Sequence, residues 1–426
     1  MQSTTRRVAI IGGNRIPFAR SNTVYNDASN QEMLTAAVDG LVERFDLQGE
    51  QLGMVAGGAV MKHSRDFNLV REVVLGSRLS PSTPALDMQI ACGTGLQAII
   101  TVANLIALGQ IDSAIAGGAD TTSDAPIAIS EKLRKKLLAA NTKRETKDKL
   151  LALARIRPGD IGISAPANRE PRTGLSMGDH QALTALEWGV TREEQDELAA
   201  ASHQNLARAW DSGWMDDLVT PFRGVERDNH MRPDSTVEKL AKLKPVFGKG
   251  EAATMTAGNS TPLSDGASAV LLASEEWAEQ RGLPVLAYLT EFQTSAVDYV
   301  GGDEGLLMAP AYAVSEMLDR AGLTLQDFDY YEIHEAFAAQ VLSTLKAWED
   351  PVFCKERLGR DEPLGAIDRS KLNVNGSSLA AAHPFAATGG RIVPVAAKLL
   401  AEKGQGRALI SICAAGGQGV VAILER

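Results

Sequence analysis

Apolar runs rich in Val and Ile recur through the first 121 residues, as "RRVAIIGG", "GMVAGGAV", "ALDMQIA" and "SAIAGGA", with helix-length segments of mixed character between them. Strands covered on both faces read as continuous apolar runs, so this pattern predicts a mostly parallel sheet with helices on both sides. The same order returns in the second half with "VLAYLTEFQT", "FDYYEIHEA", "KLNVN" and "RALISICAAGG". Four predicted strands per half in comparable order point to an internal duplication of one α/β unit. A stretch of different composition, residues 122–263, lies between the halves, and "GNSTPLSDGASAVLLAS" from Gly258 brings back sheet-like composition. The predicted organisation is an N-terminal domain, 1–121, completed by about 264–284, an inserted loop domain, 122–263, and a C-terminal domain, 285–426.

From Met88 to Ile111 the chain carries no charge, a length that satisfies a membrane-helix rule. Gln89, Thr94, Gln97, Thr101, Asn104 and Gln110, with Gly93, Gly95 and Gly109, break the run into a strand, a turn and a buried helix instead. With 426 residues, 44% hydrophobic and 23% charged, the chain builds a large core and more than one domain. Its net charge of −10 gives no reason to expect a nucleic-acid partner. Against that balance, residues 131–157 hold ten basic and three acidic side chains. A solvated helical face accounts for such a run, as does a site for a polyanionic ligand, an anionic membrane surface or an acidic partner. Leu133, Leu137 and Leu138 give one helix of this segment an apolar side.

The three cysteines, Cys92, Cys354 and Cys413, form no CxxC pair, which argues against a disulfide framework and against a zinc site. A reducing, cytoplasmic setting is expected. "MQSTTRRVAIIGG" reads as neither signal peptide nor anchor, and "AILER" carries no targeting tripeptide.

The predicted strand "ALDMQIA" followed by the helix "GTGLQAIITVANLIALG" sets Cys92 at a helix N-terminus, where free N–H groups favour a thiolate. That makes Cys92 a candidate nucleophile, with a buried structural cysteine as the plainer reading. "GTGLQA" also satisfies a dinucleotide-binding pattern, but two strand signals precede it and Asp112 falls before the next strand instead of after it. In the second half, His334, His383 and Cys413 each fall just beyond a predicted strand, at ends that converge on one crevice in an α/β sheet.

The segments "IACGTGLQA", "MTAGNSTPLSDGAS", "EIHEAF", "NVNGSSLAAAHPFAATGGR" and "CAAGGQG" make the chain resemble the thiolases, acyl-CoA acyltransferases, along nearly its whole length. The histidine of "HEAF" and the "CAAGGQG" ending are similar to the β-subunits of fatty-acid oxidation trifunctional complexes. The resemblance implies the thiolase fold, duplicated α/β halves in a layered αβαβα arrangement with an inserted loop domain. It implies thiolytic cleavage of 3-ketoacyl-CoA to acetyl-CoA and a shortened acyl-CoA, reversible, as in β-oxidation and acetoacetyl-CoA formation.

By the same resemblance Cys92 forms the acyl-enzyme, His383 takes its proton, His334 and His383 hold the thioester oxygen, and Cys413 handles the proton at carbon 2. The N–H groups of Cys92 and Ala415 make a second oxyanion hole, while Met177, Ser260, Thr261 and Phe337 lie along the acyl and pantetheine arm. No metal or redox cofactor is implied; coenzyme A and acyl-CoA enter as substrates. A homodimer or homotetramer is expected, with a hydratase-dehydrogenase subunit or a membrane surface met through residues 131–157. A ketoacyl-synthase-like condensing enzyme and a low-turnover CoA-binding protein are the alternatives. Ala382 and Ala386, which stand where glycine is common, are the motive for the low-turnover reading; separately, "GNSTP" places Pro262 in a binding loop that it is expected to alter. The added methyls of the two alanines are expected to narrow the pocket or shift His383, so Ala382→Gly is expected to leave activity unchanged or raise it.

Overall fold

The computed structural model describes residues 5–426; the first four residues of the N-terminal domain and of the leader reading lie outside it. A ten-stranded mixed sheet carries both halves. Strands β1 (Val8–Arg15), β2 (Met54–Gly57), β3 (Ala85–Asp87), β4 (Ser113–Asp120) and β5 (Ser264–Ser274) belong to the N-terminal half. Strands β6 (Ala287–Ala296), β7 (Tyr330–Ile333), β8 (Arg407–Ala414) and β9 (Gln418–Glu425) belong to the C-terminal half. The order is β7-β8-β9-β6-β1-β5-β4-β2-β3, with Ala19–Arg20 pairing beside β5. The halves join where β1 meets β6, through Ala9↔Tyr288 and Ile10↔Ala287.

The mostly parallel sheet that the apolar runs predict is not what forms. Only β2–β3, β2–β4 and β7–β8 are parallel. Each half is closed by an antiparallel strand that the count of four omitted: β5 between β1 and β4, and β9 between β6 and β8. β9 is antiparallel to β8 by necessity, because the tight turn Ala415–Gly417 joins them and parallel strands need a long crossover. The segment "KLNVN" is reduced to one bridge, Tyr331↔Leu372. There the Asn373 side chain replaces the missing strand: its Oδ1 accepts the Ile333 N–H at 2.9 Å and its Nδ2 donates to the Ile333 carbonyl at 2.9 Å. With that bridge in the position of β3, the two halves share one strand order, as duplication requires.

Helices complete the layers. Helices α1 (Asn30–Arg44) and α2 (Leu69–Gly76) cover one outer face, and α1 is started by a reciprocal Ser29–Glu32 cap. α3 (Thr94–Ala107) is buried between the two halves of the sheet, which explains why its stretch carries no charge; among the described residues no helix is long and apolar enough to cross a membrane. The inserted segment contributes α4 (Glu131–Asn141), α5 (Thr146–Leu153), α6 (Met177–Glu187) and α7 (Arg192–Asp211). α8 (Ala309–Ala321) and α9 (Ala338–Glu349) cover the other outer face, and α10 (Thr388–Lys403) joins α3 in the middle layer.

Backbone touches backbone where α3 and α10 begin. A Cβ on Gly95 would stand 2.6 Å from the Ala386 carbonyl oxygen, and one on Gly389 would stand 2.1 Å from the Leu96 nitrogen. The glycine of "GTGLQA" therefore serves helix contact, not a phosphate cradle. α6 shares an apolar cluster with Phe337, Leu342 and Cys413, and so roofs the C-terminal half. α4 and α5 pack against one another, with only Ala140 buried in α4 and nothing buried in α5.

Candidate active site

The chain reaches Cys92 through a turn that the run "ALDMQIA" did not announce, since β3 stops at Asp87. Ala91 takes a left-handed φ of 46°, a conformation rare outside glycine. Thr94 closes the turn, its hydroxyl accepting the Ile90 N–H at 3.0 Å and donating to the Ala91 carbonyl at 2.7 Å. Cys92 thus precedes the first helical residue and projects its sulfur towards the opposite half.

His383 meets it there, with Nε2 3.1 Å from the Cys92 sulfur and Nδ1 2.6 Å from the Thr388 hydroxyl. Burial lowers His383 to about 3, and the Arg391 guanidinium acts in the same direction. Burial also pushes the Cys92 thiol up to about 12, against the N–H groups of Ala415 and of Cys92 itself, which act to lower it. The thiolate that a helix N-terminus promised is not the resting state; desolvation outweighs it, and the resting pair is thiol and neutral imidazole. Asp120 is pushed up to about 7 by burial and accepts the N–H groups of Val60, Met61 and Ala386, the last at 2.8 Å.

His334 leaves the end of β7, and its N–H donates to the Ser411 carbonyl at 2.8 Å. Its ring centroid is 4.1 Å from that of His383, its Nδ1 is 2.7 Å from the Ser378 hydroxyl, and its buried Nε2 has no partner among the described residues. Burial first, then His383 and Arg391, hold it well below the ordinary imidazole range. Cys413, at the end of β8, is raised well above the ordinary thiol value by burial and by Cys92. The Cys92 sulfur and one nitrogen of each histidine lie within 4.8 Å of one another, close enough to share a proton or an ion.

A pocket of about 150 Å³ opens above these groups. Cys92, His383, Cys413, Ala415, Met177, Thr261 and Phe337 line it, so seven of the nine expected positions come together. Ser260 and His334 sit behind the lining, and the buried Ser260 hydroxyl has no partner. Pro262 does face the pocket. The methyls of Ala382 and Ala386 do not: Ala382 packs with Phe18 and Ala387, and Ala386 turns its Cβ towards Gly118. The expected narrowing is absent because both residues point back into the core.

Sequence reasoning missed Asn168, which lines the pocket from the inserted segment, and the hydroxyls of Thr388 and Ser378. It also missed Glu170, whose Oε1 accepts the Gly416 N–H at 2.8 Å while Oε2 accepts the Tyr299 hydroxyl at 2.8 Å. Both hydroxyls lie in the quoted motif "NVNGSSLAAAHPFAATGGR" that carries His383, Ser378 before it and Thr388 after it, and could have been marked; Glu170 carries no local signal.

A cysteine bonded to a histidine, with unpaired donors gathered where a carbonyl oxygen can sit, defines a covalent acyl-transfer enzyme. The comparisons agree. "Thiolase, N-terminal domain" matches residues 8–276 and "Thiolase, C-terminal domain" matches residues 283–426, so the chain belongs to the thiolase family. It is 42% identical over 425 residues to the 3-ketoacyl-CoA thiolase of Yersinia pestis (strain Pestoides F), covering 98% of this chain and 97% of that protein. Its fold is similar to that of the Bacillus anthracis acetyl-CoA acetyltransferase, with a TM-score of 0.82, 28% identity and 100% of both chains covered. It is likewise similar to human mitochondrial 3-ketoacyl-CoA thiolase in complex with CoA, with a TM-score of 0.81, 28% identity, and 99% of this chain and 98% of that chain covered.

Proposed function

We propose that the chain is a 3-ketoacyl-CoA thiolase, carried by one observation: the 3.1 Å contact of His383 with Cys92 in a pocket that also holds Cys413. His383 takes the Cys92 proton as the sulfur attacks the 3-keto carbon. The bond between carbons 2 and 3 breaks, leaving an acyl-enzyme and the enolate of acetyl-CoA. Donors from His334 and His383 hold the enolate oxygen in a water-poor site. Cys413 protonates carbon 2, releasing acetyl-CoA, and then takes the proton of the incoming CoA thiol. That thiol attacks the acyl-enzyme, whose oxyanion is held by the N–H groups of Cys92 and Ala415; the bond from the acyl carbon to the Cys92 sulfur breaks, His383 returns its proton to that sulfur, and a shortened acyl-CoA leaves. Met177 and Phe337 line the acyl and thioester region, with Thr261 and Ser260 along the pantetheine arm.

The low-turnover alternative loses its motive, since neither alanine methyl enters the pocket. Cys413 in the pocket favours reversible thiolysis over one-way condensation. The enzyme works in the cytoplasm as a homo-oligomer, and the basic hairpin of α4 and α5 meets an anionic surface, because its exposed Leu137, Leu138, Leu150 and Leu151 stand among its cations. Thiolysis assays with 3-ketoacyl-CoAs of four to sixteen carbons test the reading; absence of CoA-dependent cleavage at every length overturns it.

A further inference from the structure

Arg391 is a buried cation that the reaction above does not use. It lies in the first turn of α10, its Nη2 donates to the hydroxyls of Ser377 and Ser378 at 3.0 Å each, and its Nε has no partner among the described residues. Burial lowers it only to about 10, so it stays charged at neutral pH and can only donate. Glu332, also buried, with neither carboxyl oxygen bonded among the described residues, is the acid that acts most strongly on it, and burial pushes that carboxyl up to about 8.

The Ser378 hydroxyl therefore has two partners of different kind. One is Arg391, an obligate donor at 3.0 Å; the other is His334 Nδ1 at 2.7 Å. Because the guanidinium offers donors alone, Nδ1 is the one acceptor that the Ser378 hydroxyl proton has among the described residues. A neutral imidazole carries one proton, so that proton must sit on Nε2, the atom left buried and unpartnered beside the site. His383, 4.1 Å away, is held in the opposite sense. Its Nε2 must accept from Cys92, so its Nδ1–H donates to Thr388, a hydroxyl that no cation engages.

We propose that Arg391 is a positioning residue which, through the Ser378 hydroxyl, fixes His334 in the Nε2–H tautomer and so sets two adjacent imidazoles in opposite tautomers. One ring is thereby a proton acceptor for the thiol and the other a donor for the enolate oxygen. With the proton on Nδ1, His334 would aim a lone pair at that oxygen. The inference rests on the assignment of His334 to the oxyanion site, and its test does not depend on turnover.

Long-range proton–nitrogen NMR of the full chain labelled with ¹⁵N-histidine reads the tautomer, the His334 signals being identified by their loss in His334→Gln. The expected result is Nε2–H for His334 in the wild type. Arg391→Met should mix the tautomers and lower kcat for thiolysis roughly tenfold to a hundredfold, with KM for CoA within about twofold of wild type. Arg391→Lys should restore the tautomer in part. Because Arg391→Met strips Glu332 of its opposite charge, Ser378→Ala is the second variant, with the same expected signature, and Ser378→Thr should rescue it. An Nδ1–H tautomer in the wild type, or an unchanged tautomer in both Arg391→Met and Ser378→Ala, overturns the inference. If the wild type cleaves no 3-ketoacyl-CoA, the thiolase reading falls and the spectrum still decides the tautomer.

Discussion

Glu170 accepts the Gly416 N–H at 2.8 Å, so a carboxylate from the inserted segment steadies the turn that follows Cys413. Ala415 lies inside that turn, and the direction of its N–H depends on it. Glu170→Ala should lower kcat roughly tenfold or more and cost about 1.5–3 kcal/mol of stability, the worth of a hydrogen bond to a charged group. Tyr299→Phe removes the other bond to the same carboxylate and should leave kcat within about threefold. Steady-state thiolysis and urea denaturation measure both effects, and a wild-type kcat in Glu170→Ala refutes the role.

Ala382 adopts φ 79° and ψ 175°, a region that is essentially glycine's alone. The strain is about 1–3 kcal/mol, and at this extreme pair of angles it should exceed the combined loss of a buried methyl and gain of unfolded-chain entropy, about 1.5 kcal/mol. Ala382→Gly should accordingly raise the denaturation midpoint, with turnover unchanged because the methyl packs on Phe18. A lower midpoint would show that this packing outweighs the backbone strain.

The Cys92 thiol at about 12 and His383 at about 3 make a neutral pair throughout the physiological range. A thiol below its pKa gains about tenfold in thiolate for each unit of pH. Alkylation of Cys92 by iodoacetamide should therefore climb steadily from pH 6 to pH 9. A plateau beginning below pH 7 would mean that thiolate and imidazolium already coexist at rest.

Cys413 and Cys92 line the same pocket, and the proposed reaction gives them different atoms of the substrate. Cys413→Ala should abolish exchange of the acetyl-CoA methyl protons into deuterated water while Cys92 is still alkylated. Wild-type exchange in that variant would require another base and a different distribution of roles.

For the basic hairpin, Lys143, Arg144, Lys147 and Lys149 form no ion pair among the described residues, whereas Arg134, Lys135 and Lys136 are paired with Glu131 and Asp160. Changing those four residues to Glu should abolish sedimentation with anionic phospholipid vesicles at low salt and leave kcat unchanged. Equal sedimentation of variant and wild type would return the segment to a solvated face.

Both halves were legible in the sequence because their strands are covered on both sides and therefore read as unbroken apolar runs. β5 and β9 escaped the count because one is reached only after the insertion and the other is hidden behind a glycine turn. Cys92, His334, His383 and Cys413 stood out because each lies at or beyond the end of an apolar, strand-like run and in a distinctive motif, and the structure brings them to one place. Glu170 and Asn168 were not, since their proximity to the site depends on how the inserted segment folds back over the other half. The resting charge of Cys92 was misjudged for a related reason: a helix end is visible in a sequence, and the depth at which it is buried is not.

Cys92 and His383 lie in different halves of a duplicated chain, and the spacing between them is governed where the two middle helices touch at Gly95 and Gly389. The working distance is thus a property of main chain against main chain, with no side chain at that contact free to adjust it. Neither half owns the reaction. The doubling of the fold did more than enlarge a core: it brought a thiol and an imidazole nitrogen together across a seam, so that the proposed chemistry needs both copies present and seated.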